Sequence, residues 1–412
     1  MASKHETPSC SFCGKSKEEV EKLIVGGDDI AICNDCVDLC VDILKDEKIK
    51  KFPTDSAQLL NPVRVKEYLD EYIIGQDEAK MTLAVAVCQH FKRIAKNDKD
   101  IEIDKTNVLM MGPTGCGKTF LVRKLAEYLD VPFAICDATG LTEAGYVGDD
   151  VESVLVRLVA NADGDIKKAE HGIVYIDEID KIARKGESTS ITRDVSGEGV
   201  QQGLLKMIEG SVVRLPAGEK RKHPRGEMNE INTRNILFIC GGAFVGLDKI
   251  VGRRMKTSSI GFGSKIEKAE EKDDLFKEVN TKDLISFGLI PEFIGRFGIT
   301  TSVEELKTEQ LISILKEPKN SLVKQYQYIF DLDGVELQFE DDALVAIAEQ
   351  AKKLDTNARG LKNIIEKTLL RYQFEAAELV TRGLKKIVIS KDTVEGKPAV
   401  LIFDKKENEK TQ

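Results

Sequence analysis

Two groups of residues have types and spacings that can do chemistry. The first is Cys10-x2-Cys13 followed, after nineteen intervening residues, by Cys33-x2-Cys36. Each CxxC turn places two sulfurs on one side of a metal, and two such turns close a tetrahedral thiolate shell. Four protein ligands leave no open position, so the expected Zn²⁺ is structural and not catalytic. A module of this size buries little core, and metal binding of roughly 10 to 16 kcal/mol can fold it. Cys40 follows Cys36 by one helical turn and could compete as a ligand. Helix packing is its expected role.

The second group is Gly112-Pro113-Thr114-Gly115-Cys116-Gly117-Lys118-Thr119, which fits G-x-x-x-x-G-K-[ST]. It follows an apolar run and opens a helical pattern, the context a phosphate-binding loop requires. Pro113 opens the loop, and the backbone amides of Thr114, Gly115, Cys116 and Gly117 would cradle phosphates at a helix N-terminus, with Phe120 next along the helix. Lys118 would neutralise β and γ oxygens, and the Thr119 hydroxyl would hold Mg²⁺. Farther on, Ile173 to Ile176 runs into Asp177-Glu178. An acidic pair at the carboxyl end of a parallel strand faces the ligand crevice. Asp177 is expected to hold Mg²⁺ through water, and Glu178 to act as general base on the attacking water. ATP is the expected ligand and its hydrolysis the expected reaction. Two arginines, Arg296 in Gly295-Arg296-Phe297 and Arg359 in Asn357-Ala358-Arg359-Gly360, are surface cations if taken singly. In an oligomeric ATPase a trans-acting arginine accelerates transfer by ~10³ to 10⁵.

These residues need a scaffold, and the texture of the chain describes one. Asn107 to Met111, Val131 to Ile135, Ile173 to Ile176 and Ile236 to Cys240 are apolar runs of buried-strand type. Helical segments such as Phe120 to Leu129 and Val151 to Ala162 lie between them. Alternation of this kind predicts an α/β fold with a doubly wound parallel sheet. After about Thr301 helical stretches dominate, at Leu311 to Ile329, Asp341 to Lys353 and Leu361 to Leu379. Short strands are expected at Val335 to Phe339, Lys386 to Ile389 and Ala399 to Phe403. The predicted organisation is a zinc module over 1–50, a linker over 51–62, a large ATPase domain over 63–301 and a smaller, mostly helical lobe over 302–412.

Composition bounds the function. Of 412 residues, 61 are Lys or Arg and 70 are Asp or Glu, a formal charge of −9. A bulk polyanion binder is usually basic, so nucleic acid is not the expected partner. No run of 18 apolar residues predicts a membrane span, and Met1 to Gly14 lacks the apolar core of a secretory signal. Nine cysteines without such a signal point to a reducing compartment and cytoplasmic location.

Taken together, the four-cysteine module, the phosphate loop, Asp177-Glu178, the two arginines and the C-terminal lobe resemble the ClpX family. These are AAA+ unfoldases that serve as ATP-binding subunits of the Clp protease, and the resemblance covers nearly the whole chain. It implies a ring-shaped homo-hexamer that grips tagged proteins, with adaptors, acts as a chaperone, and threads clients into the ClpP peptidase. Ile73-Ile74-Gly75-Gln76 resembles the segment that contacts adenine, with Ile74 as the contact. Gly145-Tyr146-Val147-Gly148 resembles the pore loop, where Tyr146 and Val147 would push on a polypeptide. From its residues alone it is a turn before a helix. Arg184 to Glu198 resembles a second pore loop, and Arg221-Lys222-His223 the basic loop at the pore mouth. Ile260-Gly261-Phe262 resembles the loop that docks into apolar clefts on ClpP, although a short buried strand would use the same residues. Arg296 corresponds to the trans-acting arginine finger and Arg359 to the sensor-2 arginine. Phe297-Gly298 stands where Leu-Pro is commoner, and Asn357 replaces a glycine. No polar sensor follows Ile236 to Cys240, only Gly241-Gly242, so no sensor-1 residue is assigned.

Two other classes compete. A zinc-containing P-loop nucleic-acid motor would explain both modules but predicts a basic channel. A passive holdase would need no hydrolytic glutamate. The four histidines (His5, His90, His171, His223) build no protease constellation, so any peptide cleavage must come from another subunit.

Overall fold

A computed structural model describes residues 9–26, 30–41, 60–95, 101–142, 149–184, 197–215, 230–258 and 272–404. The chain divides into two compact units, Met1–Ala57 and Gln58–Gln412.

The first unit is small. Strands Leu23–Val25 and Ala31–Cys33 pair antiparallel, and a helix over 34–41 follows directly. Its core is little more than the buried sulfurs of Cys10, Cys33 and Cys36 with Val20, Leu23 and Ile32 against them. So small a core needs a metal to hold it.

The second unit is built on five parallel strands: Asn107–Met111, Phe133–Asp137, Ile173–Asp177, Leu237–Gly242 and Phe297–Ser302. Numbered in chain order, they lie side by side as 5-1-4-3-2. The three central strands are buried along nearly their whole length, as expected of a sheet covered on both faces. The fifth strand was not anticipated from its sequence. FGITTS alternates buried and exposed positions at the sheet edge, pairing with the first strand, and so lacks the continuous apolar run of a central strand.

The C-terminal region packs helices Thr308–Lys316, Leu322–Leu332, Asp341–Lys353 and Asn357–Thr381 with a three-stranded sheet of Glu336–Phe339, Leu384–Ile389 and Val400–Phe403. The single helix expected over Leu311 to Ile329 is two helices. Glu317 keeps helical geometry, but Pro318 has no N–H to continue the ladder and its ring crowds the Ile314 carbonyl, and Ser321 restarts the chain by capping the Lys324 amide. No helix among the described residues is long and apolar enough to cross a membrane.

Candidate functional site

Parallel strands deliver their carboxyl ends to one edge of the sheet, and the loops there form a cleft of about 730 Å³. Thr114 to Phe120, Ile74, Asp177, Glu178 and Arg359 all line it. Of the residues expected to bind nucleotide, only Pro113 lies outside the lining. Its carbonyl, with that of Gly112, accepts from the Lys118 ammonium at 3.0 and 2.8 Å. Lys118 is thus folded back on its own loop. Burial, the dominant influence, pushes its pKa below the usual lysine value, opposed by the surrounding acids Asp177, Asp180 and Glu178 and by Cys116. A phosphate would add a further counter-charge at this buried cation.

Asp177 is held from three sides. The Thr119 hydroxyl donates to its Oδ2 at 2.9 Å; the Glu178 amide donates to Oδ1 at 3.0 Å and the Tyr175 hydroxyl to the same oxygen at 3.2 Å. Glu178 adopts a left-handed conformation, φ 54°, unusual for a side-chain-bearing residue. Strained backbone of this kind concentrates at functional sites, and here it accompanies a carboxylate that is exposed beside the fixed Asp177. Thr119 and Asp177 present hard oxygen donors, the ligand type Mg²⁺ selects.

The opposite wall is apolar. Tyr72, Ile73 and Ile74 face the cleft together with Leu306 and Ile314. Gln76 fixes that segment, since its side-chain amide both donates to and accepts from the Glu304 backbone at 2.8 Å. The C-terminal lobe therefore contributes directly to the site. Leu306, in the connection before Thr308–Lys316, carried no sequence signal and Ile314 none beyond helix periodicity, and Arg123, Asp137 and Asp180 also line the cleft without having been anticipated.

The lobe also touches the phosphate loop itself. Asn357, buried and with φ 48°, donates from its side-chain amide to the Thr114 carbonyl at 3.1 Å. A Cβ on Gly115 would stand 2.6 Å from the Thr356 carbonyl, so only glycine permits this approach. Arg359 lies two residues beyond Asn357 and reaches the cleft.

Arg296 behaves differently. It is exposed, ion-paired with Glu209, and absent from the lining of its own chain's cleft. Tyr146, Val147, Arg221, Lys222, His223, Ile260, Gly261 and Phe262 lie outside the described residues, as does most of Arg184 to Glu198.

In the N-terminal unit, the sulfurs of Cys10, Cys13, Cys33 and Cys36 all lie within 4.8 Å of one another, with Cys13 and Cys33 3.6 Å apart. Zinc–sulfur bonds of about 2.3 Å in a tetrahedron put sulfurs about 3.8 Å apart, so the cluster fits zinc. Cys40 is not part of it. Burial disfavours the Cys10 thiolate, but backbone hydrogen bonds from Cys13, Cys33 and Phe12 outweigh this and bring the thiol down to about 6.

Comparison with known proteins agrees with both units. Residues 8–46 match the ClpX C4-type zinc finger, 103–300 the AAA domain (Cdc48 subfamily), and 306–379 the C-terminal D2-small domain of ClpB protein. An ATP-dependent Clp protease ATP-binding subunit ClpX from Treponema denticola is 52% identical over 404 residues, covering 96% of this chain and 97% of that protein. The protein of the same name from Borrelia duttonii is 50% identical over 389 residues, covering 93% and 90%. With a zinc-fitting sulfur cluster in its first unit and a phosphate-loop cleft completed by a second lobe within its second, this chain belongs to the ClpX family of AAA+ ATPases.

Proposed function

We propose that the chain works as a homo-hexamer that recognises tagged proteins, alone or through adaptors, unfolds them and threads them into a ClpP peptidase in the cytoplasm. The observation that carries this reading is the shared cleft. Lys118 and Thr119 stand on one element, Asp177 and Glu178 on a second, and Arg359 comes from the other lobe. A nucleotide bridging these groups favours one lobe arrangement over another, which is how binding energy becomes motion. The working boundaries are a zinc module over 1–50, a linker over 51–62, a large domain over 63–301 and a small domain over 302–412.

Thr119 and, through water, Asp177 would hold Mg²⁺, which when bound would neutralise charge on the nucleotide phosphates. Glu178 accepts the proton of the attacking water, and Lys118 leaves its two backbone carbonyls for phosphate oxygens. Arg296, which does not line its own chain's cleft, serves the site of a neighbouring subunit. Motion of the lobes is delivered to the client by Tyr146 and Val147. Arg221, Lys222 and His223 attract the carboxylate end of a tag, and Ile260, Gly261 and Phe262 anchor ClpP. These last three assignments rest on sequence resemblance.

The test uses a stable, tagged fluorescent reporter with ATP, with and without ClpP. Fluorescence loss that requires ATP, and becomes fragmentation only with ClpP, is the expected result. Intact ATPase with no loss in either condition would overturn the unfoldase reading and favour a different polymer as substrate.

A further inference from the structure

Tyr175 precedes Asp177 by two residues on one strand, so both side chains lie on the same face of the sheet. Tyr175 is wholly buried, and its hydroxyl donates to Asp177 Oδ1. The neighbouring strand makes room for it. A Cβ on Gly241 would stand 2.0 Å from the Tyr175 hydroxyl and 2.7 Å from its Cζ. A Cβ on Gly242 would stand 2.5 Å from Asp180 Oδ1, the oxygen that accepts from the Ala243 amide at 3.0 Å. The two glycines that end the fourth strand therefore lack side chains because groups from the third strand and its following turn occupy that space. The polar group absent from Gly241 and Gly242 is supplied from next door.

We propose that Tyr175 is a positioning residue for the metal–nucleotide site, its hydroxyl locking the Asp177 carboxylate so that Oδ2 stays aligned with the Thr119 hydroxyl. The third donor to Asp177, the Glu178 amide, belongs to a strained residue and shares the same oxygen. Without the phenol, the carboxylate keeps that bond but loses the one donor placed by the packed sheet. This assignment rests on the reading that Thr119 and Asp177 hold Mg²⁺.

The test is made in the full chain carrying Glu178→Gln, which retains nucleotide without turnover. Affinity for a fluorescent ATP analogue is measured with Mg²⁺ and with EDTA; the ratio isolates the metal's contribution. Tyr175→Phe should cut that ratio about tenfold, the order of one hydrogen bond to a charged acceptor, and leave affinity in EDTA unchanged. A second pair restores the donor by another route. Tyr175→Leu with Gly241→Ser returns a hydroxyl to the vacated space and should recover most of the ratio lost in Tyr175→Leu with Gly241→Ala. Equal ratios in the parent and Tyr175→Phe would overturn the assignment. If Tyr175→Phe does not fold, equal ratios in the second pair would do so. A parent whose affinity ignores Mg²⁺ would overturn the metal reading itself, and the Tyr175 role with it.

Discussion

The contact between Asn357 and the phosphate loop yields a prediction whose sign depends on backbone conformation. Asn357 is buried, holds φ 48° and donates to the Thr114 carbonyl at 3.1 Å. Replacing it by alanine removes the hydrogen bond, about 1 kcal/mol because exposed Thr114 can turn to water. It also forces alanine into left-handed geometry, a further ~1 to 2 kcal/mol. Glycine loses the same hydrogen bond but has no Cβ to object to that geometry. Arg359 is carried by the same helix start, so the penalty falls on nucleotide binding. Asn357→Ala should weaken binding by roughly thirty- to a hundredfold and Asn357→Gly by roughly fivefold, from 1.4 kcal/mol per factor of ten. Fluorescent-nucleotide titration of both variants reads the difference directly. Equal losses in the two, or a larger loss for glycine, would refute the argument that the left-handed turn positions Arg359.

Other consequences can be checked separately. Arg296→Ala and Glu178→Gln should each abolish ATPase alone, yet a mixture should regain activity, because random assembly pairs an intact finger with an intact base at about a quarter of interfaces. No recovery on mixing would place Arg296 in its own chain's site. Exchanging Cys10 and Cys33 for serine should release zinc, read as metal content by plasma emission. Retained stoichiometric metal would exclude the four-sulfur site. His90, buried, is held down to about 3 chiefly by desolvation. Its folded pKa lies below the unfolded value, so its neutral form suits the fold above pH ~6.5 and stability falls as pH drops from there towards 3. His90→Asn should flatten the pH dependence of the unfolding midpoint across that window; an unchanged slope would refute the assignment.

Much of the chemistry was legible because it depends on local spacing. The four cysteines, Gly112 to Thr119 and Asp177-Glu178 each declare their geometry within a few residues of chain. The central strands were visible for a related reason, since burial on both faces demands uninterrupted apolar runs. What escaped reading depends on partners distant in sequence. Phe297–Ser302 is a strand because Asn107–Met111 offers it an edge, not because its threonines announce one. Gly241 and Gly242 resembled an absence of function until Tyr175 and Asp180 were seen filling their space. Asn357 looked like a mild departure from glycine, yet its side chain makes a bond that glycine cannot. Pro318 could have divided Leu311 to Ile329 in advance, because proline offers no N–H to the helical ladder and crowds the carbonyl four residues back.

The first strand of the sheet has two ends with different clients. Its carboxyl end runs into the phosphate loop, while at its amino end Asn107, buried, donates to the Arg296 carbonyl at 3.0 Å and the Ile208 carbonyl at 3.2 Å. Five residues of extended chain, about 16 Å, separate the two. In the proposed ring, one end would report a subunit's own nucleotide and the other would aim the arginine that its neighbour uses. Such a strand would work as a push-rod: clamped between two others, it would leave a displacement at one site little slack in which to dissipate before reaching the next. Firing order around the ring would then be a property of sheet stiffness, with each subunit's occupancy preloading the site beside it.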